Sequence, residues 1–320
     1  MSGPAAAPDG RGLVHTVAGA IAPASLGATD YHEHLFQVSP LLPGDDLDDE
    51  QASGEEARLL RASGFAAMVD ATPLGLGRRP EAIARIAAAT GLSVVMTTGV
   101  HRREHYSEDH PLLAAAAEEL ATAFLRDLTA GAREGLGPDP GSHGIRAGVL
   151  KAGLGYWRID AAARRAIEAI GEAHGRTGAP VMVHLESGSA AFEVLELLGR
   201  HGVAPDRVAL AHVDRNPDPG LLTELAVAGA YLGFDGAARH REWPDSVVID
   251  CLTAVADAGA SDRILVGGDV ARRSRYVAYG GMPGLAYLGE RFLPRVAEAA
   301  GTELVRRITV ANPAAWLAWS

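Results

Sequence analysis

Short apolar runs bounded by turn residues recur eight times along the chain, at 27–35, 65–71, 92–100, 144–153, 180–186, 208–214, 231–235 and 263–270. Several are apolar on both faces, as in Val208-Ala209-Leu210-Ala211 and Ile264-Leu265-Val266, the pattern of parallel strands buried on both sides. Between them lie Ala-, Leu-, Glu- and Arg-rich segments with helical spacing, at 48–63, 79–90, 114–132, 160–177, 190–201, 218–228 and 244–258. This alternation of strand and helix predicts a single-domain (β/α)8 TIM barrel. Alternation over 13–21 predicts a short β-hairpin across the barrel bottom. Residues 276–288 are too irregular for a helix and read as a long loop. Helices near 290–300 and 303–311 close the chain, and Asn312-Pro313 interrupts before a Trp-bearing tail. Residues 1–10 read as a disordered tail, and 11–320 as the barrel domain.

The ends of the predicted strands carry the chemistry. His32-Glu33-His34 ends the first, and residues two apart on a strand share a face, so both imidazoles can reach one metal ion. Lys151 ends Ala147-Gly148-Val149-Leu150, His184 ends Val181-Met182-Val183, His212 ends Val208-Ala209-Leu210-Ala211, and Asp269 follows Val266-Gly267-Gly268. Each residue alone has a plainer reading. A strand-end lysine can snorkel to solvent or to a carboxylate, and a lone strand histidine can be a hydrogen-bonded core residue. Together they read as a ligand set, in which burial lowers the lysine pKa and lets the neutral amine capture CO2 as a carbamate. An aspartate buried beside two glycines needs a cation or several donors. Imidazole and carboxylate without thiolate suit Zn2+ first, with Mn2+, Co2+ or Fe2+ as alternatives.

Composition narrows the class. The lone Cys251 excludes an intrachain disulfide and a thiolate metal site, which fits a reducing cytoplasm. A net charge of −11 argues against nucleic acid and an anionic membrane surface as partners. No apolar run approaches the ~20 residues that cross a bilayer, and the N-terminus lacks the basic start and apolar block of a signal peptide. The expectation is a cytoplasmic enzyme with a small-molecule substrate, with a homodimer left open.

These residues resemble a known family. Gly27-Ala28-Thr29-Asp30-Tyr31-His32-Glu33-His34, Gly144-Ile145-Arg146-Ala147-Gly148-Val149-Leu150-Lys151, Val183-His184, Ala211-His212 and Gly268-Asp269 are similar, in order and over nearly the whole chain, to the phosphotriesterase family of the amidohydrolase superfamily. The resemblance implies two divalent ions bridged by a carboxylated lysine (N6-carboxylysine, here Lys151) and a hydroxide. It also implies that His32, His34 and Asp269 hold the more buried ion, and His184 and His212 the more exposed one. Where paraoxon-hydrolysing members carry a relay aspartate and histidine, this chain has Arg215 and Gly236. The run His212-Val213-Asp214-Arg215 instead resembles the phosphotriesterase-related branch, which includes lactonases and amidases.

The implied reaction is attack of an activated hydroxide on an ester, lactone or amide carbonyl, with Asp269 carrying the proton. The alternatives are a true phosphotriesterase or phosphodiesterase (aryldialkylphosphatase-like), a metal-dependent lyase on the same barrel, and a non-catalytic barrel with a structural metal. Arg102 and Arg103, Arg215, and Arg272, Arg273 and Arg275 follow three strand ends. They suit an anionic substrate, or else pair with Glu104, Asp214, Asp218 or Asp235. The dense stretch His101-Arg102-Arg103-Glu104-His105-Tyr106 opens the longest connection, 100–144, and is expected to cover the site. Tyr106, with Tyr156 and Trp157, is a candidate apolar wall for the substrate or packing for the lid.

Overall fold

The computed structural model describes residues 12–136, 144–239 and 243–320; the tail at 1–10 lies outside them. A two-stranded antiparallel hairpin, β1 (Val14–Thr16) and β2 (Gly19–Ile21), opens the described chain. Eight parallel strands follow: β3 (Thr29–Glu33), β4 (Ala67–Asp70), β5 (Ser93–Val100), β6 (Val149–Leu154), β7 (Val181–Leu185), β8 (Val208–Ala211), β9 (Tyr231–Phe234) and β10 (Ile264–Val266). Each pairs with the next in chain order. The Asp269 N–H donates to the His32 carbonyl at 2.8 Å, so the two outer strands meet and the barrel nearly closes. The expected (β/α)8 architecture is the one observed.

Alternate strand residues point into the barrel. Ala67, Val69, Val95, Val149, Met182, Ala209 and Leu265 fill it, and Val14, Leu26, Trp316 and Leu317 seal its bottom. The opposite faces of the strands pack against the surrounding helices in a larger apolar layer. Two glycines make room at close approaches. A Cβ on Gly99 would lie 1.9 Å from the Lys151 carbonyl oxygen, and one on Gly233 would lie 1.9 Å from the Tyr31 hydroxyl. Tyr31 therefore crosses the barrel interior only because β9 has no side chain there.

The structure corrects several boundaries. The run at 144–153 forms a strand only over Val149–Leu154: the Gly148 N–H still reaches the Met96 carbonyl of β5, but the Ala147 N–H turns to the Asp127 carbonyl of a flanking helix. The helix expected over 114–132 splits into Pro111–Ala114 and Ala117–Thr129, since Ala115 is extended between them. Asn312-Pro313 does not interrupt the chain. Proline sits in the first turn of the helix Asn312–Leu317, where its missing N–H costs nothing, and Asn312 donates to the Ser261 and Ile264 carbonyls.

The long loop after β10 is fastened to the first barrel helix, Glu50–Ala62. Buried Glu56 accepts the Ala278 N–H at 2.6 Å and the Leu285 N–H at 3.0 Å. From the same loop the Tyr276 hydroxyl donates to the His34 carbonyl. Glu56→Ala leaves two amides unpaired and should cost about 2–3 kcal/mol. Urea unfolding measures this, and an unchanged midpoint would show that the loop holds without the anchor. Among the described residues, no helix is long and apolar enough to cross a membrane.

Candidate metal and active site

All six ligand-type residues singled out in the sequence are buried at the carboxyl end of the barrel. His32 lies in β3 with His34 just beyond it, Lys151 in β6 and His184 in β7. His212 follows β8 directly, and Asp269 stands three residues past β10. His212 (φ 64°) and Asp269 (φ 41°) adopt the left-handed region that non-glycine residues avoid. Such strain clusters at functional sites, where the fold forces a sharp turn to aim a side chain.

Asp235, the residue after β9, organises the histidines, whereas the sequence offered it only as a partner for an arginine. It accepts the Tyr31 hydroxyl, His32 Nδ1 at 3.1 Å, the His212 N–H at 3.2 Å and His212 Nδ1 at 2.6 Å. Burial opposes its charge, but the His212 and His32 contacts outweigh burial and hold the carboxyl well below its usual range. An ionised carboxylate only accepts, so His32 and His212 both carry their proton on Nδ1 and turn an Nε2 lone pair inward. Thr72 fixes His34 in the same way. Its hydroxyl donates to the Phe36 carbonyl, so it accepts from His34 Nδ1 at 2.7 Å. A carboxylate or hydroxyl behind each imidazole is the usual outer partner of a metal-ligating histidine.

His184 completes the set. Its Nε2 lies 3.5 Å from Glu186, and its Nδ1 faces His212 Nε2 at 2.7 Å. With its proton held on Nδ1 by Asp235, His212 accepts through Nε2 from His184 Nδ1, and a cation taking the place of that shared proton would meet a lone pair from each ring. Burial also keeps the rings uncharged, pushing His32 down to about 3 and lowering His184 and His212. Neutral imidazole is the ligating form. His32, His34 and Asp269 bring one ligand atom each within 4.8 Å of one another, as do His32, His212 and Asp235. Asp235 meets His32 and His212 on their outer nitrogens, so it orients them, and the first trio is the one that opens to the cavity. The donor set fits divalent metal ions.

Lys151 Nζ lies 3.1 Å from His32 Nε2. Burial, opposed by Asp269 and Asp235, lowers the Lys151 amine to about 8. A sizeable neutral fraction is therefore present in the slightly alkaline range. Asp269 turns Oδ1 toward His34 Nε2 at 3.6 Å and His32 Nε2 at 3.7 Å. Its Oδ2 accepts from Arg215 at 3.2 Å and from Arg239, which also donates to the Asp269 carbonyl. Burial works against the Asp269 charge, while Arg239 and His32 hold the carboxyl well below its usual range.

These groups open onto a cavity of about 190 Å³. Four arginines (Arg102, Arg215, Arg239 and Arg272) line it against two carboxylates, Glu186 and Asp269. In a chain of net charge −11 that is a local reversal of sign. Arg102 pairs with Glu104 at 3.8 Å, one of the partners expected from sequence, and the other pairings fall outside that set. Arg215 meets Asp269, Arg102 meets Glu186 at 3.2 Å, and Arg272 meets Asp45 at 3.5 Å. Tyr106 does not line the cavity. It is buried, its hydroxyl donating to the Leu74 carbonyl and accepting the His101 N–H, the packing role that the sequence offered beside a substrate wall. Tyr156 and Trp157 are 65% and 63% exposed and also stand outside the cavity lining.

Arg239 and Thr72 were not named from the sequence, and Asp235 was named only as a partner for an arginine. Asp235 closed a predicted strand just as the ligands do, so its position was legible. Arg239 and Thr72 sit in loops without a periodic signal, and only the folded chain brings them to the site.

The chain is similar to known proteins over nearly its whole length. The model of the phosphotriesterase family matches residues 12–317. A phospho-furanose lactonase from Mycoplasmopsis synoviae (strain 53) is 30% identical over 324 residues, covering 96% of this chain and 92% of that protein. An N-acetyltaurine hydrolase from Danio rerio is 28% identical over 353 residues, covering 96% and 98%. The crystal structure of a lactonase from Listeria monocytogenes superposes with a TM-score of 0.89 at 30% identity, covering 96% of this chain and 99% of that one. With barrel, strand-end residues and similarity all running the length of the molecule, the chain belongs to the phosphotriesterase family.

Proposed function

We propose that this protein is a binuclear metal-dependent hydrolase that opens the lactone of a small anionic molecule, with a phosphorylated five-membered sugar lactone as the leading candidate. The observation that carries the reading is the convergence of inward-facing imidazole lone pairs, Asp269 and Lys151 on one arginine-lined cavity. His32, His34 and Asp269 would hold one ion, His184 and His212 the other, and a carboxylated Lys151 would bridge them. Zinc suits this donor set. When bound, such a pair of ions supplies Lewis acidity and an activated water.

The protein's own groups do the rest. Asp269 starts ionised and accepts the proton that the attacking water loses. As a carboxylic acid beside two guanidinium groups it is strongly acidic, and it hands that proton to the leaving alkoxide of the opened ring. The arginines set the substrate's charge, since a guanidinium pairs in two-pronged fashion with phosphate, sulfonate or carboxylate. The names of two relatives point the same way: one acts on a phospho-furanose lactone and the other on N-acetyltaurine, an amide bearing a sulfonate. The lactone is favoured because both that relative and the superposed Listeria protein are lactonases.

The test is a substrate screen of the zinc-loaded protein. Phosphorylated lactones should be opened, their neutral counterparts should be poorer substrates, and paraoxon should be hydrolysed only weakly. Preference for neutral triesters would overturn the reading. Arg215→Ala should lose roughly 1.5–3 kcal/mol of transition-state binding for the anionic lactone, mostly as a higher KM. Equal losses on the anionic substrate and its neutral counterpart would assign Arg215 to holding Asp269 alone.

A further inference from the structure

Two cavity-lining histidines, His101 and His105, remain outside the ligand set. His101 follows β5 and lines the same cavity, with its ring centroid 4.6 Å from that of His184. Its Nδ1 accepts the Arg102 N–H at 2.7 Å. In the neutral ring the proton therefore sits on Nε2. Among the described residues, no hydrogen bond occupies that Nε2.

The ring is held in place from several sides. His105 stacks on it at 4.0 Å between centroids and 23° between planes, and His105 is itself tied through Nδ1 to Ser39 Oγ at 3.1 Å. Gly153 of β6 lies against it, where a Cβ would come within 2.6 Å of His101 Nδ1. The His101 N–H donates to the buried Tyr106 hydroxyl at 2.9 Å, which donates onward to the Leu74 carbonyl. Tyr106 is thus a positioning residue for His101.

We propose that His101 is not a metal ligand but the cavity's fixed hydrogen-bond donor, meeting the substrate's carbonyl oxygen through Nε2–H on the His184 side. The substrate role rests on the hydrolase reading above; the donor assignment rests on geometry alone. Charge grows on that oxygen as water adds to the carbonyl, so a rigid donor there stabilises the transition state more than the ground state.

Two variants and one spectroscopic measurement test this. His101→Phe keeps a ring but removes the N–H, and should lower kcat by roughly 10²-fold, the scale of losing one such donor. Metal content and melting temperature should stay at wild-type values. His101→Gln restores an N–H near the same place and should recover activity to within roughly tenfold of wild type, a residue of about 1.4 kcal/mol. Proton–nitrogen correlation spectra should show His101 as the Nε2–H tautomer, with that signal moving when acetate is added. Unchanged kcat in His101→Phe, lost metal, or equal losses in both variants would overturn the proposal. If the wild-type protein hydrolyses no lactone, amide or phosphoester, the hydrolase reading falls. The spectra then still decide the donor: an acetate-sensitive Nε2–H upholds it and an Nδ1–H tautomer removes it.

Discussion

Lys151→Ala should reduce hydrolysis by about 10³-fold or more, the rate equivalent of losing about 4 kcal/mol of charge stabilisation at the metals. The side chain is fully buried in β6, and burial lowers its amine to about 8. That environment favours the neutral nucleophile that reacts with CO2. The carbamate so formed would carry a carboxylate on a long arm, next to His32 and within the ring of ligands. Removing it takes away the bridge while leaving the histidines oriented by Asp235 and Thr72. Short carboxylates such as acetate or propionate should then restore part of the activity by occupying the bridging position. The measurement is kcat at saturating metal, with and without added carboxylate. A variant with wild-type kcat would show that Lys151 is only a buried amine beside His32.

Asp269→Asn should lower kcat by roughly 10²–10⁴, the range for losing a general acid–base group. The replacement keeps the size of the side chain but cannot take up the proton. It also disturbs Oδ2, the atom shared by Arg215 and Arg239, because an amide nitrogen placed there would face two guanidinium groups. Metal content measured beside kcat separates the two effects. A variant with full metal and near-normal kcat would mean that another group moves the proton.

Much of this site was legible before the fold was seen. Strand ends are written in the sequence as apolar runs stopped by a polar residue, and a barrel places all such ends on one face. His32, His34, Lys151, His184, His212 and Asp269 therefore came together as expected. The supporting shell was less legible, because its members contribute through distance and tautomer. Asp235 has the sequence position of a ligand but the geometry of an orienting group, which only its contacts with both His32 and His212 reveal. Tyr106 looked like a substrate wall because aromatic loop residues near a site often are, yet its hydroxyl is consumed by the backbone beneath His101. Arg215 was rightly placed near the site, but its partner Asp269 lies 54 residues along the chain. Pairing across such a separation has no local signature. The boundary differences arose from tertiary contacts with no local signature, such as the Ala147 N–H turning to the Asp127 carbonyl just before β6.

The measurement that bears most directly on the account is the number of divalent ions bound per chain in the purified, active protein, determined by elemental analysis against protein concentration. Two ions per chain is the predicted result, with loss of both ions and of hydrolysis on chelation and recovery of both on adding zinc and bicarbonate. One ion per chain in fully active protein, or full activity with none, would contradict it.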